Sequence, residues 1–216
     1  AESGVSFEVN GTSLVTEFAT KVENEMTYVS YWPIVQALYP EAVAAWNNGQ
    51  AEVTATGLKL EMKPGAKYIV ANGRYLYVPT GVKLENGTVM VPVRTLCQAL
   101  GAQVTWNGAD GVISITSGSA PITSGDSFYD QEDLYWLSRI IYCESGNQSL
   151  EGKIAVGNVV LNRVESSHFP NSVQEVVFDD RYAIQFEPVS NGTIYDEPTS
   201  SAVLAAKLCL EGANTA

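Results

Sequence analysis

The chain has 216 residues, 45% of them hydrophobic, 17% charged and 10% aromatic, a composition that excludes extensive disorder and supplies one large core or two small ones. Its 24 acidic residues against 12 basic ones, a net charge of −12, argue against a nucleic-acid or anionic-lipid partner. No run of about 18 apolar residues occurs, so no membrane span is expected.

The acidic excess is uneven: residues 1–118 hold 10 acids and 7 bases, residues 119–216 hold 14 and 5. Two units with different surfaces are therefore expected. The first reads as short strands, "VSFEV", "KYIVA", "RYLYVP", "TVMVPV" and "VISITS", punctuated by Asn-Gly at 10, 48, 72, 86 and 107. Asn and Gly accept the positive φ that two-residue hairpin turns require, so these pairs predict hairpins.

This region also repeats. "YVSYWPIVQALYPEAVAAWNNGQAEVTATG" from Tyr28 lies on "MVPVRTLCQALGAQVTWNGADGVISITSG" from Met90, with a two-residue insertion in the first copy. Each copy reads as a strand, a short helix ("PIVQAL", "VRTLCQAL") and a hairpin whose Trp46 or Trp106 packs on that helix. Two sheets, each covered by one helix, are the expected architecture. Tyr28, Tyr31, Trp32, Trp46, Tyr75 and Tyr77 could stack on sugars, although aromatic residues in strands more often belong to a core.

The stretches "ANGRYLYVP" and "VMVPVRTLCQALGAQVTWNGADGVISIT" resemble the copper amine oxidase N-terminal-like domain of secreted bacterial wall proteins. The resemblance implies adhesion or positioning rather than redox chemistry, a plain spacer being the alternative. One histidine in the whole chain leaves no imidazole-rich copper site.

Residues 117–127, "SGSAPITSGDS", interrupt the apolar patterning, so the expected units are 1–117 and 128–216 with 118–127 as linker. From Asp130, "DQEDLYWLSRIIYCES" is apolar at helical spacing, opens on acids and stops at Gly146. Ser149 predicts a cap for a second helix, "LEGKIAVGNVVLNRV", whose nearly continuous apolar middle marks it as the central one. Gly157 within it predicts a close crossing by another element. A short helix in "NSVQEVVF", a β-hairpin through Asn191-Gly192 in "YAIQFEPVSNGTIY", and a last helix from Thr199 to Gly212 complete the unit.

Cys97, Cys143 and Cys209 are too few and too scattered for a disulfide scaffold or a zinc site. They read as small buried residues, with a Cys143–Cys209 bridge as the alternative in a secreted chain. His168, in "SSHFPN", reads as a loop residue, so neither a metal site nor a histidine-based nucleophile is expected.

Glu144 is an acid on the last turn of an apolar helix. Its angular position, near Ile140 and Ile141, suggests partial desolvation and with it a raised proton affinity suited to a general acid. The alternative is a glutamate that reaches out from a helix end.

The wider pattern weighs on this choice. "LSRIIYCESGNQSLEGKIAVGNVVLNRV", "FPNSVQEVVF" and "QFEPVSNGTIY", in that order, resemble the SleB/CwlJ-type cell wall hydrolases across nearly all of residues 131–212. That resemblance implies a small α+β, lysozyme-like domain, hence an α+β chain overall with a β-rich tandem repeat in front. It implies cleavage of peptidoglycan glycan strands, with Glu144 as the catalytic acid.

Gln185, Phe186, Asn191, Tyr195 and Glu151 are the implied substrate contacts, and Asn158, Asn162 and Arg163 fall on the second helix of the pattern. Glu151 also fits as an acid favoured by the helix dipole. No cofactor or metal is implied, and the setting would be secreted, in a bacterial wall or spore. The oligomeric state is open.

Three departures stand out. Cys143 occupies a place where relatives carry a small residue, and Glu187 one where they carry a small hydroxyl residue. A Gly-rich aromatic tail is implied beyond "EGANTA", so an incomplete cleft is expected. A hydrolase would need a second carboxylate, for which Asp179, Asp180, Glu187, Asp196 and Glu197 are the available acids. A lytic transglycosylase needs one glutamate only and is the expected reaction, with muramidase-type hydrolysis of the same bond as the runner-up and a non-catalytic wall-binding protein as the alternative from another class.

Overall fold

In the computed structural model, which describes residues 6–14, 20–181 and 186–215, four of the five Asn-Gly pairs are hairpin turns with both residues at positive φ. These are Asn10-Gly11, Asn48-Gly49, Asn72-Gly73 and Asn86-Gly87. The fifth pair opens a longer loop instead: Asn107 bonds Asp110 and the Ala109 N–H, and the positive φ falls on Gly111.

The chain divides into two compact units, Ala1–Ser124 and Gly125–Ala216. In order, the first holds β1 (Ser6–Val9), β2 (Thr12–Ser13), β3 (Thr20–Glu23), β4 (Met26–Ser30), α1 (Tyr31–Leu38), β5 (Val43–Asn47) and β6 (Gln50–Ala55). It continues with β7 (Leu58–Met62), β8 (Tyr68–Ala71), β9 (Arg74–Tyr77), β10 (Lys83–Glu85), β11 (Thr88–Pro92), α2 (Val93–Ala99), β12 (Gln103–Asn107) and β13 (Val112–Thr116).

These strands make three sheets rather than two: β12-β13-β1-β2, β10-β11-β4-β3 and β5-β6-β7-β8-β9. The middle sheet is where the repeat becomes a structure. Counting 62 residues along, β3 maps to β10 and β4 to β11, so its strand order reads the same from either edge. Val29 pairs with Val91 and Ser30 with Met90, which sets a pseudo-twofold axis at the Val29–Val91 pair.

Both helices bury their apolar faces in one shared core, Ile34 and Val35 from α1 and Leu96 and Cys97 from α2. The separate helix-covered sheets expected from the repeat are absent because the two copies pair strands with each other. Trp46 and Trp106 do not pack into this core; they are 54% and 48% exposed.

Residues 118–124 run along the first unit. Asn72 Nδ2 donates to the Ile122 carbonyl (3.0 Å) and Arg74 Nη1 to Thr123 Oγ1 (3.1 Å). At Gly101, φ is +68° and an added Cβ would lie 2.7 Å from the Ala120 carbonyl oxygen, so the turn after α2 requires glycine on both counts.

The second unit holds α3 (Gly125–Phe128), α4 (Gln131–Ser145), α5 (Leu150–Glu165), α6 (Val173–Val177), α7 (Glu187–Asn191), a 3-10 helix (Thr193–Tyr195) and α8 (Ser200–Leu210). The strands of this α+β chain thus fall in the first unit, among the described residues. Side chains of Asp130, Ser149, Ser172 and Thr199 each accept from the backbone N–H three residues on, capping α4, α5, α6 and α8.

Two expectations fail here. The central helix is α4, which packs against α5, α6, α7, α8 and the 3-10 helix. Helix α5 leaves Ala155 and Val159 exposed, so its apolar run is not a buried cylinder. The hairpin at Asn191-Gly192 is replaced by α7, which has Pro188 in its first turn and ends on Gly192 at φ +82°.

The crossing at Gly157 is present. A Cβ there would meet Cys209 Sγ of α8 at 2.5 Å and Ile141 Cδ1 of α4 at 3.1 Å. All three cysteines are free thiols. Cys143 Sγ donates to the Thr193 carbonyl and Cys209 Sγ to the Ile154 carbonyl, so the two sit on different contacts and form no bridge.

Candidate active site

Trp136, Arg139 and Cys143 recur at i, i+3 and i+7 on α4 and so share one face of it. The segment 192–197 lies along that face. Cys143 donates to the Thr193 carbonyl (3.1 Å), Arg139 Nη2 reaches Glu197 (3.2 Å), and the Trp136 and Tyr195 rings meet edge to face at 6.0 Å.

Phe178, just past α6, closes the group with its ring 5.0 Å from Trp136. The Arg139 guanidinium lies 3.5 Å over the Tyr135 ring. Tyr195 is 61% exposed and Tyr135 is exposed as well, so two aromatic side chains of this group reach solvent. Sequence reasoning found Tyr195 but missed Tyr135, Trp136, Arg139 and Phe178. The i, i+3, i+7 spacing was the available signal.

Glu144 follows Cys143 directly and lies about 12 Å along the axis from Trp136 at helical rise. It is exposed, which corrects the expectation that burial would favour its protonated form. Ile140, Ile141 and Ser145 close the apolar side of the helix without it. Among the described residues nothing forms a hydrogen bond or ion pair with it. An acid on the last turn of a helix also faces the negative end of the dipole. Neither packing, pairing nor helix electrostatics explains a carboxylate there.

Burial raises the Cys143 thiol pKa, and the charges of Asp196 and Glu144 push the same way. Both acids are therefore in electrostatic reach of one sulfur. Of the other candidate second carboxylates, Asp179 is gripped by Arg181 through Nε (2.9 Å) and Nη2 (3.1 Å). Glu197 is held by Arg139. Asp180, Glu187 and Asp196 are exposed.

The remaining sequence-derived residues are scattered in role. Phe186 is only 8% exposed and has the Arg163 guanidinium 5.2 Å from its ring. The Asn191 side chain accepts from Thr193 N–H and Oγ1–H, closing its own turn. Glu151 is half-buried in the first turn of α5. Asn158 ties α5 to the C-terminal segment by donating to the Ala213 carbonyl (2.7 Å), Asn162 is exposed, and Gln185 lies outside the described residues. His168 is an exposed loop residue whose carbonyl accepts from Arg181.

Compared with known proteins, residues 8–115 match the copper amine oxidase N-terminal domain and residues 147–216 match the cell wall hydrolase family. The second match begins after Glu144. A spore cortex-lytic enzyme of Oceanobacillus iheyensis is 33% identical over 95 residues, 44% of this chain and 33% of that protein. One from Bacillus cereus is 37% identical over 84 residues, 39% of this chain and 31% of that protein. The chain thus spans about a third of the length of these curated relatives.

A solved structure, the catalytic domain of the germination-specific lytic transglycosylase SleB from Bacillus anthracis, is 34% identical. The alignment covers 43% of this chain and 71% of that one, with a TM-score of 0.37. Through residues 8–115, half its length, the chain belongs to the copper amine oxidase N-terminal domain family, and its residues 147–216 belong to the cell wall hydrolase family.

Proposed function

We propose that the second unit cleaves the glycan strands of peptidoglycan as a lytic transglycosylase, with Glu144 as the group that moves the proton. The observation that carries this reading is an exposed carboxylate with no hydrogen-bond or ion-pair partner among the described residues, directly after the Cys143 whose thiol meets the Thr193 carbonyl. The cell wall hydrolase match and relatives named as spore cortex-lytic enzymes favour the same chemistry, with cortex peptidoglycan as the first substrate to test.

In this mechanism protonated Glu144 gives its proton to the glycosidic oxygen as the bond from C1 to that oxygen breaks. The resulting carboxylate then takes the proton of the muramic acid's own C6 hydroxyl as that oxygen closes on C1. The products are an anhydromuramic end and a free hydroxyl on the leaving sugar, no water is consumed, and Glu144 returns protonated. A sugar seated on Tyr195, with Gln185, Phe186, Asn191 and Glu151 along the cleft, would cover Glu144 and exclude water. The first unit, Ala1–Ser124, positions the enzyme on the wall outside the cytoplasm.

Asp196 favours a second reading. It is exposed and acts electrostatically on the same sulfur as Glu144, so a hydrolytic course would use it to activate water or to trap the sugar.

Digestion of cortex and vegetative peptidoglycan by the wild-type chain and by Glu144→Gln, with products read by mass spectrometry, decides between these. Anhydromuramic ends that vanish in the variant are the expected result. Reducing ends lost in the variant would replace transglycosylation by hydrolysis. Products that persist in Glu144→Gln, or no products from either protein, would overturn the assignment.

A further inference from the structure

The exposed tryptophans of the first unit lie in two grooves that the internal repeat makes equivalent. In one groove, of about 400 Å³, Trp46 and Ala51 of the β5–β6 hairpin stand beside Tyr31 and Trp32 at the start of α1 and Thr88 and Val89 of β11. In the other, of about 610 Å³, Trp106 and Ile113 stand beside Val93 and Arg94 of α2 and Met26 and Thr27 of β4. Each position in the first list has its counterpart in the second.

Trp46 pairs across its hairpin with Ala51, and Trp106 with Ile113. Met26 and Thr27 lie 62 residues before Thr88 and Val89, as Tyr31 and Trp32 lie 62 before Val93 and Arg94. Each groove takes its helix and Trp hairpin from one copy and its facing strand from the other. Neither groove would exist in a single copy.

Trp46 and Trp106, 54% and 48% exposed, each leave part of the indole open to the groove. Val22 and Leu84, another equivalent pair, are exposed too. Residues that frame the grooves carry little charge: the first has none, and the second has Glu25 with Arg94. Volumes of this size suit a small ligand or one residue of a polymer. A neutral, polar ligand with an apolar face matches an aromatic platform without charge, whereas an anionic or strongly basic partner does not.

We propose that these two grooves are paired binding sites for the N-acetylated sugar rings of a glycan strand, with the faces of Trp46 and Trp106 as stacking platforms. Two equivalent sites on one rigid frame suit a polymer that presents the same ring repeatedly. Simultaneous engagement strengthens binding to a long strand far beyond either site alone.

The test uses the full chain carrying Glu144→Gln, so that binding is read whether or not the second unit cuts glycan. The chain has four tryptophans, and their indole N–H signals in a nitrogen-15 NMR spectrum, assigned by single Trp→Phe variants, give a site-by-site readout. A β-1,4-linked N-acetylglucosamine hexasaccharide is expected to shift the Trp46 and Trp106 signals together and saturably. Binding to insoluble glycan strands should fall at least about tenfold in Trp46→Ala and in Trp106→Ala and, in the double variant, to the residual level that the second unit alone supports. Thermal melting should hold in each, since both side chains are exposed.

Several results would overturn the proposal. They are shifts at Trp136 alone, a shift at one groove alone, shifts with free stem peptide but not with sugar, or shifts that follow protein concentration rather than ligand. The products of peptidoglycan digestion are read separately, so this proposal and the Glu144 assignment can fail independently.

Discussion

Val29 and Val91 occupy equivalent positions of the internal repeat and pair with each other across the middle sheet, both fully buried. The duplication is therefore an internal dimer, closed by the same strand contact a symmetric dimer would use. Residues directly opposite on an antiparallel pair have Cβ atoms about 4.5–5.5 Å apart, so these two side chains share one environment. Val29→Ala and Val91→Ala should each cost about 2 kcal/mol. The double variant should depart from the sum, because the two touch. Urea unfolding of the three variants checks this, and unequal single costs would show that the axis is only approximate.

The approach of α8 to α5 at Gly157 allows a second prediction. Alanine is the better helix former by about 1 kcal/mol, yet its Cβ would sit 2.5 Å from Cys209 Sγ and 3.1 Å from Ile141 Cδ1. Overpacking of this kind costs roughly 1–3 kcal/mol, so Gly157→Ala should destabilise the unit. Removing the sulfur by Cys209→Ala should restore part of that loss in the double variant. A Gly157→Ala melt at or above wild type would mean that α8 shifts freely.

The contrast between Asn191-Gly192 and the hairpin pairs shows what the sequence could and could not carry. At Asn10, Asn48, Asn72 and Asn86 both residues of the pair adopt positive φ, whereas in the second unit only Gly192 does. The dipeptide is the same, but Pro188 four residues earlier lets a helix start, and the glycine becomes its stop. Caps at Ser149 and Thr199 were legible because a side-chain acceptor and the N–H three residues on are local.

What was not legible depended on partners far along the chain. Trp46 and Trp106 read as core because their spacing fits a covered hairpin. The copies instead pair strands with each other, leaving the indoles in grooves between them. Glu144 has the angular position of a buried residue, but the helix ends at Ser145 and the side chain stays in water.

The thiols give a chemical check on the second unit and on the core of the first. Burial pushes the Cys97 and Cys209 thiols up to about 12, and it raises Cys143 as well, with Asp196 and Glu144 adding to the effect. The thiolate is the reactive form, so at pH 8 the native protein should react slowly with a disulfide reagent. Cys143, the half-buried one, should react first. All three should react at once in denaturant. A fast native thiol at Cys209 would show that α8 opens readily from α5.

Asp179 gives a pH-dependent check on the segment just past α6. Hydrogen bonds from Arg181 hold its carboxyl below the ordinary range, with the Arg163 charge acting the same way, and Arg181 also donates to the His168 carbonyl. The folded state therefore binds fewer protons than the unfolded chain near and below about pH 4, the usual carboxylate value. The stabilisation is fully present above the unfolded pKa and is lost as pH falls through the folded one. Asp179→Asn cannot titrate and weakens the grip of Arg181. The gap in stability between wild type and Asp179→Asn should thus be widest near neutral pH and shrink steadily on acidification, as read by urea unfolding at a series of pH values. A gap that stays constant from pH 6 to pH 2.5 would mean that the Asp179–Arg181 pair does not form in solution.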